Sequence, residues 1–131
     1  MNDMSAVSLT IKALLAQATV RAFTAQRIYP FPIPLTTSLP AIAVAMSAED
    51  EEYALAGATQ YPLATVEVHC IALTAGSAIQ LGEAVKIALR DLLYTSGDVN
   101  ASFRKSGVDF TDFADDLSTH RRVMSFDVRW R

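Results

Sequence analysis

The residues that could do chemistry in this chain fall in a few places. His69 and Cys70 are adjacent, which invites a nucleophile–base pair. They lie in Thr65-Val66-Glu67-Val68-His69-Cys70-Ile71-Ala72, which alternates like a strand. Neighbours on a strand point to opposite faces, so these two cannot pair with each other. Cys70 shares an apolar row with Val66, Val68 and Ala72 and reads as a small buried hydrophobe. His69 lies with Thr65 and Glu67 on the other face. His120, the second histidine, could approach either residue.

Asp109-x-x-Asp112-x-x-Asp115-Asp116 has hard-cation ligands but lacks the Asp-x-Asp-x-Asp-Gly order of a calcium loop, so it reads as solvated acid. Two histidines and one cysteine fall short of a soft-ligand site. There is no glycine-rich phosphate loop and no G-x-S-x-G. We therefore expect no catalytic, cofactor-binding or metal-binding residues, and not an enzyme.

Charge is the remaining candidate. Glu49-Asp50-Glu51-Glu52 is one acidic run, and Asp112, Asp115 and Asp116 belong to a second acidic stretch. Arg121, Arg122, Arg129 and Arg131 crowd the last eleven residues. Two readings stand side by side. These are solvated loops and an exposed strand face, or they are complementary rims that meet between subunits. The candidate contact residues on the second reading are Glu49, Asp50, Glu51, Glu52, Asp112, Asp115, Asp116, Arg121, Arg129 and Arg131. Trp130 falls on the face opposite Arg121, Arg129 and Arg131 of its strand, so they make no stacking platform for single-stranded nucleic acid.

The elements that must carry these residues are legible from periodicity. At 131 residues the chain is read as one domain spanning 1–131, large enough for a core without disulfides. Hydrophobic content is 51%, much of it in 21 alanines. No apolar run approaches the roughly 20 residues of a membrane span. Met1-Asn2-Asp3-Met4 carries no basic n-region, and the expectation is a protein that stays in the cytosol. A net charge of −3 argues against a general nucleic-acid binder.

A first helix is expected from about Ser5 to Ala18, with Val7, Ile11, Leu14, Leu15 and Ala18 on one face. Gln26–Tyr29 can form a short strand. Pro30, Pro32 and Pro34 then enforce an extended arm with Phe31, Ile33 and Leu35 between them. Ala41–Ser47 reads as a strand with Ile42, Val44 and Met46 on one face and alanines on the other. Residues 48–62 read as a mobile loop or hairpin tip, expected to order on assembly. A central strand spans about Leu63–Leu73. A second helix follows, capped by Ser77 with Gln80, running to about Tyr94 and terminated by Gly97. Val99–Asp116 suggests a loose hairpin around Gly107. Arg121–Arg131 is a final strand with Met124, Phe126, Val128 and Trp130 on its apolar side. The expected class is α+β, a single-domain two-layer sandwich of mostly antiparallel sheet with two helices packed on one face.

These features stand in a definite order. An N-terminal helix precedes Arg27-Ile28-Tyr29-Pro30 and the proline arm, and Leu39-Pro40-Ala41-Ile42-Ala43-Val44 leads into a strand. Val66-Glu67-Val68-His69-Cys70 precedes Ala78-x-x-Leu81-x-Glu83-Ala84-Val85-x-x-Ala88-Leu89, and Arg122-Val123-Met124-Ser125-Phe126-Asp127-Val128 closes the chain. This order resembles the tail-completion, or tail-terminator, proteins of long-tailed bacteriophages, prophages and gene-transfer agents, over about Ser5–Arg131. The resemblance implies a structural virion protein at the tail–neck junction, assembled in the host cytoplasm. It implies a homo-oligomeric, hexameric ring that caps the tail tube, stops its growth and offers a head-joining surface. The implied partners are the major tail tube protein and a head-completion or neck protein. DNA would pass through the lumen without specific binding, so a lumen that is not strongly basic is expected. No cofactor and no membrane are implied. The alternatives are another neck or connector ring, or a small cytosolic α+β enzyme or ligand-binding domain, which would need a concave pocket with convergent polar groups.

Overall fold

A computed structural model describes residues 5–50, 53–54, 57–58 and 63–130. The class is α+β, with three helices and a six-stranded sheet that curls into a half-barrel. The helices are α1 (Ala6–Leu15), α2 (Ala18–Thr24) and α3 (Ala75–Leu89). The strands of the main sheet are β1 (Ile28–Pro30), β2 (Ala41–Asp50), β5 (Leu63–Ala72), β6 (Leu93–Ser96), β7 (Val99–Phe113) and β8 (His120–Trp130). Two short strands, β3 (Tyr53–Ala54) and β4 (Gly57–Ala58), pair with each other between β2 and β5. The sheet order is β1-β2-β5-β8-β7-β6, antiparallel except for β1 against β2.

The period-two pattern builds the core. Val66, Val68 and Cys70 of β5 lie beside Phe126, Met124 and Arg122 of β8. Ile42 and Val44 of β2 extend the same row. Leu9, Ala13 and Leu14 of α1 and Leu81, Val85 and Leu89 of α3 join these strand residues in one buried cluster. Trp130 belongs to that cluster.

Several boundaries differ from the sequence expectation. There are three helices, not two. The chain leaves helical geometry at Gln17 and re-enters it at Ala18, and the two axes meet at 91°. Seven residues of α2 are too few to display a helical period in sequence. The α3 cap is Thr74 rather than Ser77: the Thr74 hydroxyl accepts from the Ser77 backbone N–H at 3.1 Å. The helix stops at Leu89, because Arg90 is extended and Asp91 adopts φ 57. The Leu92 carbonyl then accepts from the Phe103 N–H at 2.9 Å, so the apolar residues after Leu89 enter the sheet. Gly97, at φ 59, sits in the β6–β7 turn and does not end a helix. The region 99–116 is no hairpin. It is one fifteen-residue strand, β7, with a register shift between Ser106 and Asp109 where Gly107 takes φ 49. A bulge and a hairpin use the same glycine signal.

Among the described residues no single helix is long and apolar enough to cross a membrane. Residues 51, 52, 55, 56 and 59–62, most of the expected mobile segment, lie outside the described residues.

Gly82 marks the tightest approach of α3 to the sheet. A Cβ there would stand 2.4 Å from Arg122 Cδ. The Arg122 head is held at both ends of its fork, so its stem has little room to yield. Gly82→Ala is expected to destabilise the fold by about 1–3 kcal/mol. Urea unfolding of the two proteins checks this, and an unchanged midpoint would show that the arginine swings aside freely.

Candidate functional site

Two arginines at the start of β8 organise the polar groups, one on each face. Arg121 lies on the face away from the helices. Its Nε donates to Asp112 Oδ1 at 2.8 Å, and its Nη2 donates to the other oxygen of the same carboxylate. Its Nη1 lies 3.0 Å from His69 Nδ1. A guanidinium can only donate, so Nδ1 accepts, and the His69 ring is neutral with its proton on Nε2. Glu67 Oε1 is 3.3 Å from that nitrogen, yet no aligned hydrogen bond forms. The Phe31 ring lies over the imidazole, centroids 5.0 Å apart.

His69 is thus only 6% exposed, although it lies on the polar face of β5 with Thr65 and Glu67. This burial has a local cause. The proline arm folds back over the sheet, tied at its ends by Arg27 Nε donating to Pro40 O at 3.1 Å and by Phe31 N–H donating to Val44 O at 2.9 Å. Burial pushes the His69 pKa down from its ordinary value, and the Arg121 charge adds to this, against the opposing pull of Glu67 and Asp112.

Arg122 lies on the helix-facing side, at the end of the apolar row. Its Nε and Nη2 donate to the two oxygens of Asp109 at 3.0 and 2.9 Å. Its Nη1 donates to Glu83 Oε2 at 3.0 Å and to the Ile79 carbonyl at 3.2 Å. Lys86 sits 2.9 Å from Glu83, one turn away on α3, and Lys105 sits 3.4 Å from Asp109. The Arg122 hydrogen bonds hold the Asp109 carboxyl below its usual range. Lys86 first, then Arg122, do the same for Glu83. This cluster joins α3, β7 and β8 through one nearly buried guanidinium. Periodicity alone carried a signal for it, since Arg122 has the same parity as Met124 and Phe126. Cys70 behaves as a core thiol, its pKa pushed up to about 12 by burial.

The candidate contact residues are dispersed. Asp112 and Arg121 pair within the chain. Asp115 and Asp116 sit in the β7–β8 turn, where the Asp116 carboxylate accepts from the Ser118 N–H at 2.9 Å. Glu49 and Asp50 end β2, and Arg129 lies near the end of β8. Glu51, Glu52 and Arg131 lie outside the described residues. Arg129 lines a cavity of about 420 Å³ at the β6 edge with Leu93, Tyr94, Ser102 and Trp130. Exposed apolar side chains gather at the opposite end of the sheet, where Leu73, Phe113 and Leu117 all stand out from the surface.

A family model described as "Tail completion protein gp17" matches residues 10–131. The chain belongs to that tail completion family. The match takes in every strand and α3, and begins inside α1. The tail completion fold also recurs in a solved structure titled "Virion of native gene transfer agent (GTA) particle". The TM-score is 0.72 at 17% identity, covering 95% of this chain and 93% of that one. No curated protein sequence matches the chain.

The His69 environment gives a signed pH dependence. The folded pKa lies below the unfolded value of about 6.5, so between the two the unfolded chain binds more protons. Stability from this group is complete above about pH 6.5 and falls as pH drops toward the folded value. NMR titration of the ring should give a pKa below 6.5, and His69→Gln should flatten the fall in melting temperature across that window. A His69 titration at or above the ordinary value would contradict this account.

Proposed function

We propose that this protein is a structural virion component that forms a hexameric ring on the end of the tail tube. The ring stops tube elongation and offers the surface to which the head or neck is joined. The observation that carries the reading is family membership across residues 10–131. The fold shared with a chain of a gene transfer agent virion supports it. The polar constellations support a non-catalytic role too, because Arg121 and Arg122 are both tied to carboxylates and Cys70 is buried.

The shape of the domain suits a ring. The sheet has two unlike edges, β1 with β2 on one side and β6 with β7 on the other. Unlike edges favour head-to-tail contacts, which close into rings when the rotation allows. The two ends of the sheet also differ. Strand β2 ends on Glu49 and Asp50, and the β7–β8 turn end carries Leu73, Phe113 and Leu117. We assign the apolar end to an axial partner, the tail tube protein, because exposed apolar clusters mark interaction surfaces. A lumen that is not strongly basic would let DNA pass without adhering.

Solution mass tests this first. Six copies of a 14.2 kDa chain make about 85 kDa, and native mass spectrometry with negative-stain imaging should show that species as a six-fold ring, alone or on added tail tube protein. A protein that stays monomeric in both conditions, or that binds the neck component and ignores the tube, would overturn the terminator role. Phe113→Asp with Leu117→Asp should leave the ring intact and lower tube binding by about tenfold or more.

A further inference from the structure

The segment 31–40 joins β1 to β2 and carries Pro32, Pro34 and Pro40 and no charged residue. It is fixed along its length. Phe31 N–H donates to Val44 O, and the Phe31 ring lies over His69. Thr37 N–H donates to Pro34 O at 3.1 Å, and Pro40 O accepts from Arg27. Leu35 stands in the turn between Pro34 and Thr37, and its side chain is fully exposed. A single exposed leucine is ordinary on a protein surface. This one differs in its support: an anchored, uncharged arm whose prolines restrict φ on its approach.

The opposite edge of the sheet has a matching recess. The cavity of about 420 Å³ at β6 is walled mainly by Leu93, Tyr94, Ala101 and Trp130. Leu93 beside it is 82% exposed. The charged residue in its lining, Arg129, already has an interaction of its own, so the cavity suits an uncharged occupant. It has room for Leu35 with an adjoining proline ring. The arm rests on β2 and β5, while β8 and β7 separate it from β6, so Leu35 cannot fill the cavity of its own chain. A projection at one edge and a recess at the other make a head-to-tail contact, the kind that closes into a ring.

The levels of the two features set the geometry of that contact. Val44, where the arm begins, is in register with Val68, Met124 and Asp109, whereas Leu93 is in register with Ser102. Asp109 and Ser102 are about 20 Å apart along β7, so neighbouring copies meet with their strands tilted from the ring axis, as strands tilt in a closed barrel.

On the ring proposed above, we infer that the proline arm of one copy seats Leu35 in the β6 cavity of the next, against Leu93. Both sides of the contact are uncharged, as the centres of protein interfaces tend to be. The arm is already fixed in the free chain, so docking costs little ordering entropy.

Cysteine pairing in the full chain tests the contact. Leu35→Cys with Leu93→Cys in one chain cannot link within a copy, and the native Cys70 is buried. Mild oxidation of the ring, assembled on tail tube protein if it needs it, should give a ladder of linked copies on non-reducing gels, and neither single cysteine variant should. Leu35→Asp should raise the protein concentration at which the ring half-dissociates by about tenfold or more, while Leu35→Met stays within about threefold. The melting temperature of the free Leu35→Asp chain should be unchanged, because the side chain is exposed there. A six-fold ring that ignores Leu35→Asp, or whose cysteine pair stays unlinked, overturns this contact and leaves the ring reading in place. A native protein that forms no ring, alone or on the tube, overturns both.

Discussion

The ten-residue register between β5 and β8 is the constraint on which the rest of this protein depends. A slip of β8 by one residue against β5 would turn Met124, Phe126 and Val128 outward and bring Ser125 and Asp127 against the helices. No rearrangement of α1 or α3 could then rebuild the core. The apolar volume on one side and the charges on the other hold this pairing in place. Every other strand takes its level from it, β2 through β5 and β7 through β8.

The same register explains why two consecutive arginines do different things. Adjacent residues of β8 face opposite ways, so Arg121 meets Asp112 and His69 on one face while Arg122 meets Asp109 and Glu83 on the other. A nearly buried guanidinium needs carboxylates to balance its charge and backbone acceptors for its remaining protons. The bulge in β7 and the absence of a side chain at Gly82 make room for that arrangement. The acidic residues of 109–116 that looked like a solvated stretch are therefore partly structural. Asp109 and Asp112 fasten strands and a helix, and only Asp115 and Asp116 remain at a turn.

The proposed ring would place function in edges and ends rather than in a cavity. A curled sheet with unlike edges and chemically different ends is a part to be joined to others. The cavity at β6 has mainly apolar walls, which serves burial of a neighbour better than recognition of a small polar molecule.

The sequence by itself determined the elements whose period is sustained. Alternation in Thr65–Ala72 and Arg121–Trp130, the apolar stripe of α3 and the prolines of the arm each have a local physical cause, so the α+β class, the core rows and the family resemblance were legible. Tertiary structure decided the rest, because those features depend on partners distant in sequence. Gly107 is a bulge because β8 continues past it. Asp91 ends α3 because Leu92 and Leu93 have a strand to join. His69 is buried because Phe31, far away in sequence, folds over it. Arg122 is satisfied because a helix and a bulged strand bring Glu83 and Asp109 to it.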